Sequence, residues 1–402
     1  MKIDTDAKKI DEILTRSIKE VLPTKDSLKE LLSSGKRIRI YIGTDATGTS
    51  LHLGHSTNYI ILEKFRRLGH EVIFLVGDFT ARIGDPTDRV DSARKQLTRE
   101  QVVENVKTWL DQVKPVIDVD NKENPVKILY NDEWLSKLTF EDVINISSNF
   151  TVQQMIERDM FQERLKAEKP LYLHEMFYPL MQGYDSVVMD VDVEMCGNDQ
   201  KFNALAGRTL LKKLKNKEKY VLITTLLENP VTGEKMMSKS LGTGVFLDFE
   251  PAQMYGAIMA QPDENMRQLF VDCTHLEISE IEEIIKNHSP MDAKKNLALE
   301  ITAIYHGEAK AREAEDDFVT KFQKREIPEE IDEFKVSVGN AIIDAVTTNS
   351  VVESKSEFRR LIEEGAITNL ETKEKITDPN MPITQDISVK IGKKRFVKFI
   401  VE

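Results

Sequence analysis

The sequence predicts an α/β protein built on a doubly wound parallel sheet, followed by helices and a small mixed C-terminal unit. Three observations carry that expectation. Short β-branched runs alternate with helix-periodic segments through the first half of the chain. Strand-like runs then stop at about residue 250. A basic strand returns only at the C-terminus. Alternation of this kind requires crossover connections, hence parallel strands covered on both faces.

In chain order, the strands are RIRIYIG (37–43), EVIFLVGD (71–78), VKILYN (126–131), DSVVMDVDVEM (185–195) and KYVLITTLL (219–227). STNYIILEKFRRLG and REQVVENVKTWLDQV between them have helical periodicity. From about 132 to 176 the pattern turns helical and reads as an insertion between two half-sheets. Beyond 250, PAQMYGAIMAQ, EISEIEEIIKN and PMDAKKNLALEITAIYHG read as helices with an acid-rich surface. The polar stretch KFQKREIPEEIDEF leads to a last unit with an amphipathic helix, SKSEFRRLIEEG, and the strand SVKIGKKRFVKFIV. Three domains are expected: 1–247 with the insertion, an α-helical domain at 248–335, and a small α+β domain at 336–402.

Composition narrows the function classes. At 402 residues the chain exceeds a typical single domain. Its 40% apolar and 31% charged residues are ordinary for a soluble globular protein. A formal net charge of −12 excludes a uniformly basic surface, so any nucleic-acid contact must lie on a local patch. Cys196 and Cys273 form neither a disulfide framework nor a zinc pattern and suit a reducing compartment. The N-terminal residues lack an export signal, and no apolar run reaches membrane-spanning length. The expectation is a cytoplasmic protein with no membrane association.

Two motifs carry chemistry. In YIGTDATGTSLHLGH (41–55) a strand ends in a small polar turn and opens a helix, the context in which a helix N-terminus faces an anion. Gly54 permits close approach to bare backbone, and His52 and His55 can donate to phosphate oxygens. Taken alone, the stretch fits a capped helix with two surface histidines equally well. A metal site is the weaker alternative, because no third ligand is in view. GEKMMSKSLGTG (233–244) follows the last strand with Lys235, Ser238, Lys239 and Ser240 between glycines. Such a loop suits gripping a polyphosphate, though alone it is also a plausible solvated turn.

Together, the pair resembles the HIGH and KMSKS signatures of class I aminoacyl-tRNA synthetases. The first motif is similar to its version in bacterial-type tyrosyl-tRNA synthetases. GDFTARIGDPT (77–87), YPLMQGYDS (178–186), GNDQKFN (197–203), TVQQMIERDMFQER and the C-terminal unit agree. The resemblance implies a Rossmann-like catalytic domain that activates L-tyrosine with ATP and Mg²⁺ and charges tRNA(Tyr). It implies catalytic roles for His52, His55 and Lys239. Tyr41 and Asp185 would bond the substrate phenol, with Asn131 nearby. Tyr178, Gln182 and Asp85 would hold the ammonium group, and Gln200 would lie near the carboxylate. Gly43, Asp45, Thr47, His52, Gly54, His55, Gly197, Asp199, Ser238, Lys239 and Ser240 would meet ATP. The residues support this independently, since Tyr178, Gln182 and Asp185 fall at i, i+4 and i+7 on one helix face. Charge neutralisation by these groups needs no side-chain nucleophile, and no metal site of the protein's own is expected.

The sequence departs from the family pattern in places. Met236 stands where the second signature begins with lysine, and Lys235 lies one residue upstream. Lys239 is therefore expected to carry the phosphate role. Cys196 precedes GNDQ, the basic candidates after GDPT are Arg89 and Arg94, and the turn after the last helix is Asn369-Leu370. On the C-terminal unit, Arg359, Arg360, Lys393, Lys394, Arg395 and Lys398 form a candidate tRNA-binding face. The resemblance further implies a homodimer formed through the insertion, with one tRNA spanning both subunits.

Overall fold

The computed structural model describes residues 2–85, 98–228, 233, 236–237, 244–324, 331–372, 374–392 and 395–402. The chain divides into two compact units, Met1–Glu315 and Asp316–Glu402.

The first unit is organised by a six-stranded sheet: β1 (Ile18–Leu22), β2 (Arg39–Asp45), β3 (Glu71–Gly77), β4 (Lys127–Tyr130), β5 (Val193–Gly197) and β6 (Tyr220–Thr224). Their spatial order is β1-β6-β5-β2-β3-β4. Strands β2 to β6 are parallel, and β1 is an antiparallel edge on β6. The chain leaves β2 toward β3 and β4, then returns to build β5 and β6 on the other side. Neighbours β2 and β5 thus form the topological switch point, and the crevice beyond their carboxyl ends is where an open parallel sheet binds ligands.

Two sequence expectations change here. The edge strand β1 was not anticipated. The run 185–195 is not one strand, because helix continues to Met189, Asp190 closes it at φ 51°, and β5 begins only at Val193. Val187 and Met189 are β-permissive residues, but they pack with Leu210 and Leu211 in one core, and that burial overrides local preference.

Three helices position the site: α1 (Leu53–Arg67), α2 (Leu173–Met189) and α3 (Lys201–Lys215). The insertion holds the short helices Asp132–Leu135, Phe140–Ser147, Val152–Ile156 and Asp159–Lys166. Thr139 and Thr151 cap two of them by accepting from the N–H groups of Asp142 and Gln154. After the sheet come helices Pro251–Met259, Met266–Cys273, Ile278–Asn287 and Pro290–His306. Arg16 ties the N-terminal segment to them, donating to the carbonyls of Val271, Thr274 and Leu276 over 2.7–2.9 Å. These carbonyls lie at a helix end that would otherwise leave acceptors unpaired.

The second unit has its own core, with Phe358, Phe399, Ile342 and Val389 fully buried. Its main sheet has the order β7 (Asp332–Val336), β12 (Arg395–Val401), β11 (Ile387–Ile391), β9 (Ile367–Asn369); β8 (Asn340–Ala341) pairs with β10 (Pro382–Ile383). Helices Ile342–Thr348 and Lys355–Glu363 cover it. Among the described residues, no helix is long and apolar enough to cross a membrane.

Candidate active site

Alternation along β2 sends Tyr41, Gly43 and Asp45 to one face of the sheet. Helix α2 lies over that face and contributes the predicted stripe. The Tyr178 hydroxyl donates to Asp45 Oδ2 at 2.9 Å, and Thr80 Oγ1 donates to Oδ1 at 2.6 Å. Opposite Asp45 in the ladder stands Gly77, where an added Cβ would lie 2.0 Å from Asp45 Oδ1. Only glycine leaves room for that carboxylate.

Two turns further along α2, Asp185 is buried and held by two donors. Trp134 Nε1 reaches Oδ1 at 2.7 Å, and Asn131 Nδ2 reaches Oδ2 at 3.2 Å. Asn131 also donates to Thr80 Oγ1 at 3.0 Å and accepts from the Phe79 N–H at 2.9 Å. Asn131 thereby joins the ends of β3 and β4. Burial pushes the Asp185 carboxyl well above the usual range, the Glu194 and Asp45 charges add to this, and the two N–H donors oppose it. Across the crevice, Gln200 Nε2 donates to Asp85 Oδ2 at 2.5 Å, while Asn203 Nδ2 donates to Gln200 Oε1 at 2.8 Å. Gly197 lets the Asp199 carboxylate approach, since a Cβ there would sit 2.7 Å from its Oδ1.

Behind this surface lies a polar network that the motifs did not reveal. Tyr41 pairs with Glu194 across β2 and β5, so both side chains point to the same face. The Tyr41 hydroxyl lies 2.9 Å from Ser186 Oγ, and Gln182 Nε2 donates to Glu194 Oε1 at 2.8 Å. Lys219, fully buried, donates to Ser186 Oγ at 2.8 Å, to the Ala204 carbonyl at 3.1 Å and to Glu194. Burial pushes the Tyr41 and Tyr178 phenols well above their usual value, and neighbouring carboxylates add to it: Glu194 for Tyr41, and Asp45 and Asp85 for Tyr178. Trp134, Ser186, Glu194 and Lys219 were missed from sequence. Glu194 alone carried a signal, a carboxylate inside a strand that a buried parallel sheet should fill with apolar residues.

The two histidines open α1. The His52 N–H donates to His55 Nδ1 at 3.2 Å, and the two ring centroids lie 3.9 Å apart. Accepting at Nδ1 places the proton of the neutral His55 ring on Nε2, where it can donate outward. Gly54 makes room for the imidazole of His52 itself, as a Cβ there would lie 3.0 Å from its Cε1. The second signature meets the first directly. His52 forms a β-bridge with Phe246, Leu53 N donates to Val245 O at 3.0 Å, and Leu247 N donates to Leu51 O at 2.8 Å. Met236, at the altered first position, is buried and anchored by its N–H to Leu227 O at 3.0 Å. An apolar side chain suits that place better than a lysine. Lys235, Ser238, Lys239 and Ser240 lie outside the described residues, as do Arg89 and Arg94. Gly43 and Thr47 are exposed at the end of β2.

A sequence profile described as class I tRNA synthetases (W and Y) matches residues 33–323. The chain is 41% identical to the tyrosine–tRNA ligase of Carboxydothermus hydrogenoformans over 97% of both chains. The chain belongs to the tyrosyl-tRNA synthetase family. It is also 40% identical to the tyrosine–tRNA ligase of Oleidesulfovibrio alaskensis, over 94% of this chain and 95% of that one. Among solved structures, a C-terminally truncated mitochondrial tyrosyl-tRNA synthetase from Coccidioides posadasii matches with a TM-score of 0.62 at 25% identity. That match covers 77% of this chain and 91% of the other. The likeness to tyrosyl-tRNA synthetase from Archaeoglobus fulgidus has a TM-score of 0.59 at 20% identity, over 77% and 100%, and concerns the fold.

In this tyrosyl-tRNA synthetase family member the C-terminal cations are less free than their sequence suggests. Arg395 pairs with Glu357 at 2.7 Å, Lys398 with Glu333 at 3.0 Å and Arg360 with Glu364 at 3.7 Å. Arg359 is exposed on the same helix. Lys393 and Lys394 lie outside the described residues.

Proposed function

We propose that the chain activates L-tyrosine with ATP to tyrosyl-adenylate and transfers the tyrosyl group to tRNA(Tyr). The observation that carries the reading is one convergence. Tyr41, Asp45, Tyr178 and Asp185 meet at the carboxyl edge of the sheet, and the His52–His55 pair opens the helix that leaves the same strand. Tyr41 and Asp185 take the substrate phenol. Tyr178, Gln182 and Asp85 serve the ammonium group, and Gln200 the carboxylate. The ends of β2 and β5, with Gly43, Thr47, Gly197 and Asp199, receive the nucleotide.

The tyrosine carboxylate attacks the α-phosphorus of ATP in line, and the bond to the departing pyrophosphate breaks. Catalysis is positioning plus stabilisation of the charge that grows on the leaving group. His52 and His55, at the positive end of α1, and Lys239 supply that stabilisation. Among the described residues no cluster of three or more His, Cys, Asp or Glu is arranged to hold a metal. Magnesium would accompany ATP and share the charge of its phosphates. Phenylalanine is disfavoured because it brings no hydroxyl to Tyr41 and Asp185 and so buries their remaining hydrogen-bonding capacity without a partner for it.

The working form we propose is a cytoplasmic homodimer joined through the insertion. Phe140 (81% exposed), Ile144, Val152 and Leu173 (68% exposed) crowd apolar surface onto that one segment. The C-terminal unit contributes phosphate contacts to tRNA through Arg359 and its neighbours. Amino-acid-dependent ATP–pyrophosphate exchange tests the reading. Exchange with tyrosine, and little with tryptophan or phenylalanine, is expected; exchange with tryptophan alone, or none, overturns it.

A further inference from the structure

We propose that Lys219 is a positioning residue for tyrosine selection, holding both ends of the amino-acid pocket from behind through Glu194 and Ser186. The inference rests on the tyrosine reading above. Lys219 and Glu194 are both buried, at 0% and 1% exposure. An ammonium has three donors and no acceptor, and here all three are used, on Glu194, Ser186 Oγ and the Ala204 carbonyl. Its position is therefore fully specified. Glu194 passes that specification to Gln182, at the ammonium end of the pocket, over 2.8 Å. Ser186 passes it to Tyr41, at the phenol end, over 2.9 Å. One side chain that touches no substrate thus fixes two that do.

The room for this ammonium is built into α3. Gly207 faces it so closely that an added Cβ would lie 2.3 Å from Lys219 Nζ and 2.8 Å from Ser186 Oγ. The Lys219 ammonium also lies 5.8 Å from the Tyr41 ring centroid, within range of a cation–π contact.

Charge explains why selection is at stake, beyond stability alone. With Lys219 present, Glu194 is neutralised and each of its oxygens has a donor. Without it, Glu194 is a buried anion that faces the hydroxyl of Tyr41, its ladder partner. The unneutralised charge then competes more strongly with the substrate for the Tyr41 proton. A pocket in that state binds tyrosine less well and distinguishes it less from phenylalanine.

The test is tyrosine- and phenylalanine-dependent ATP–pyrophosphate exchange on the full chain, with melting temperature recorded for each variant. Lys219→Met is expected to raise the tyrosine KM about tenfold and to lower the tyrosine-over-phenylalanine ratio of kcat/KM about tenfold, consistent with loss of a charged hydrogen bond. The ATP KM stays within about twofold, because no bond of this network reaches the nucleotide end. Gly207→Ala, which keeps the charge but displaces it, moves the same two quantities in the same direction. Should Lys219→Met not fold, the pair Glu194→Gln with Lys219→Met removes both charges together, a change that buried ion pairs tolerate. A folded Lys219→Met or Gly207→Ala variant with wild-type tyrosine KM and selectivity overturns the proposal, as does an equal rise in both KM values in any of the three variants. Absence of tyrosine exchange in the wild-type protein would instead overturn the function reading.

Discussion

Trp134 donates its indole N–H to Oδ1 of Asp185 over 2.7 Å, which leaves Asn131 to serve Oδ2. Replacing the indole by Trp134→Phe removes one of the two groups that favour the ionised carboxyl in a buried setting. The Asp185 pKa then rises further. We expect about a tenfold fall in kcat/KM for tyrosine near neutral pH. The acid limb of the pH profile should move to higher pH, and activity should recover as pH rises. An unmoved acid limb in exchange assays at saturating ATP would contradict this.

His55 carries its neutral-ring proton on Nε2, because its Nδ1 accepts from the His52 N–H. His55→Ala is expected to lower the rate of adenylate formation about 100-fold, the usual cost of losing one donor to a developing charge. The tyrosine KM should hold. A stopped-flow measurement of adenylation separates the two, and a loss confined to KM would argue against a role at the phosphates.

Gly77→Ala places a methyl group 2.0 Å from Asp45 Oδ1 and 2.4 Å from Thr80 Oγ1. The carboxylate must leave, and Tyr178 loses its acceptor. Tyrosine-dependent exchange should drop by more than about tenfold, and a Thr80→Ala background should restore part of it by relieving one of the two clashes.

Burial, with help from the Arg37 charge, lowers the His70 pKa to about 4. The unfolded chain takes up that proton near pH 6.5. Between these values the unfolded state binds more protons, so stability falls as pH drops. The loss attributable to His70 reaches about 3 kcal/mol by pH 4. Urea unfolding across pH 4–7 should show a shallower decline for His70→Asn than for the wild type.

The double variant Phe140→Asp with Ile144→Asp puts two charges on the exposed apolar face of one insertion helix. Light scattering at micromolar concentration should find a dimer for the parent and a monomer for the variant. Equal masses for parent and variant would place the interface elsewhere.

Most of the sheet was legible because parallel strands are long apolar runs between helix-periodic segments. The exceptions have physical causes. The sequence IKEVL of β1 mixes two charges into an edge strand that is covered on one side only. The run 185–189 has strand-like composition, yet its burial is dictated by residues of α3 that are distant in sequence. At the site, Tyr178, Gln182 and Asp185 could be read from a period of 3.6 on a single element. Trp134, Ser186 and Lys219 could not, because each acts through a partner on another element and none breaks its local pattern. The carboxylates paired with the basic C-terminal face were not legible for a related reason: Glu333 and Glu357 sit far in sequence from Lys398 and Arg395.

The bridge between His52 and Phe246 has a further consequence. One end of the signature loop is fixed at Met236, and the other at Val245, whose N–H also meets Met237 Sδ eight residues earlier. The two flanks of the signature, Met236–Met237 and Val245–Phe246, are thus tied to the last strand of the sheet and to the start of α1. Lengthening the chain between these two anchors should therefore slow the leaving-group step, so that the spacing of the motif acts on the rate.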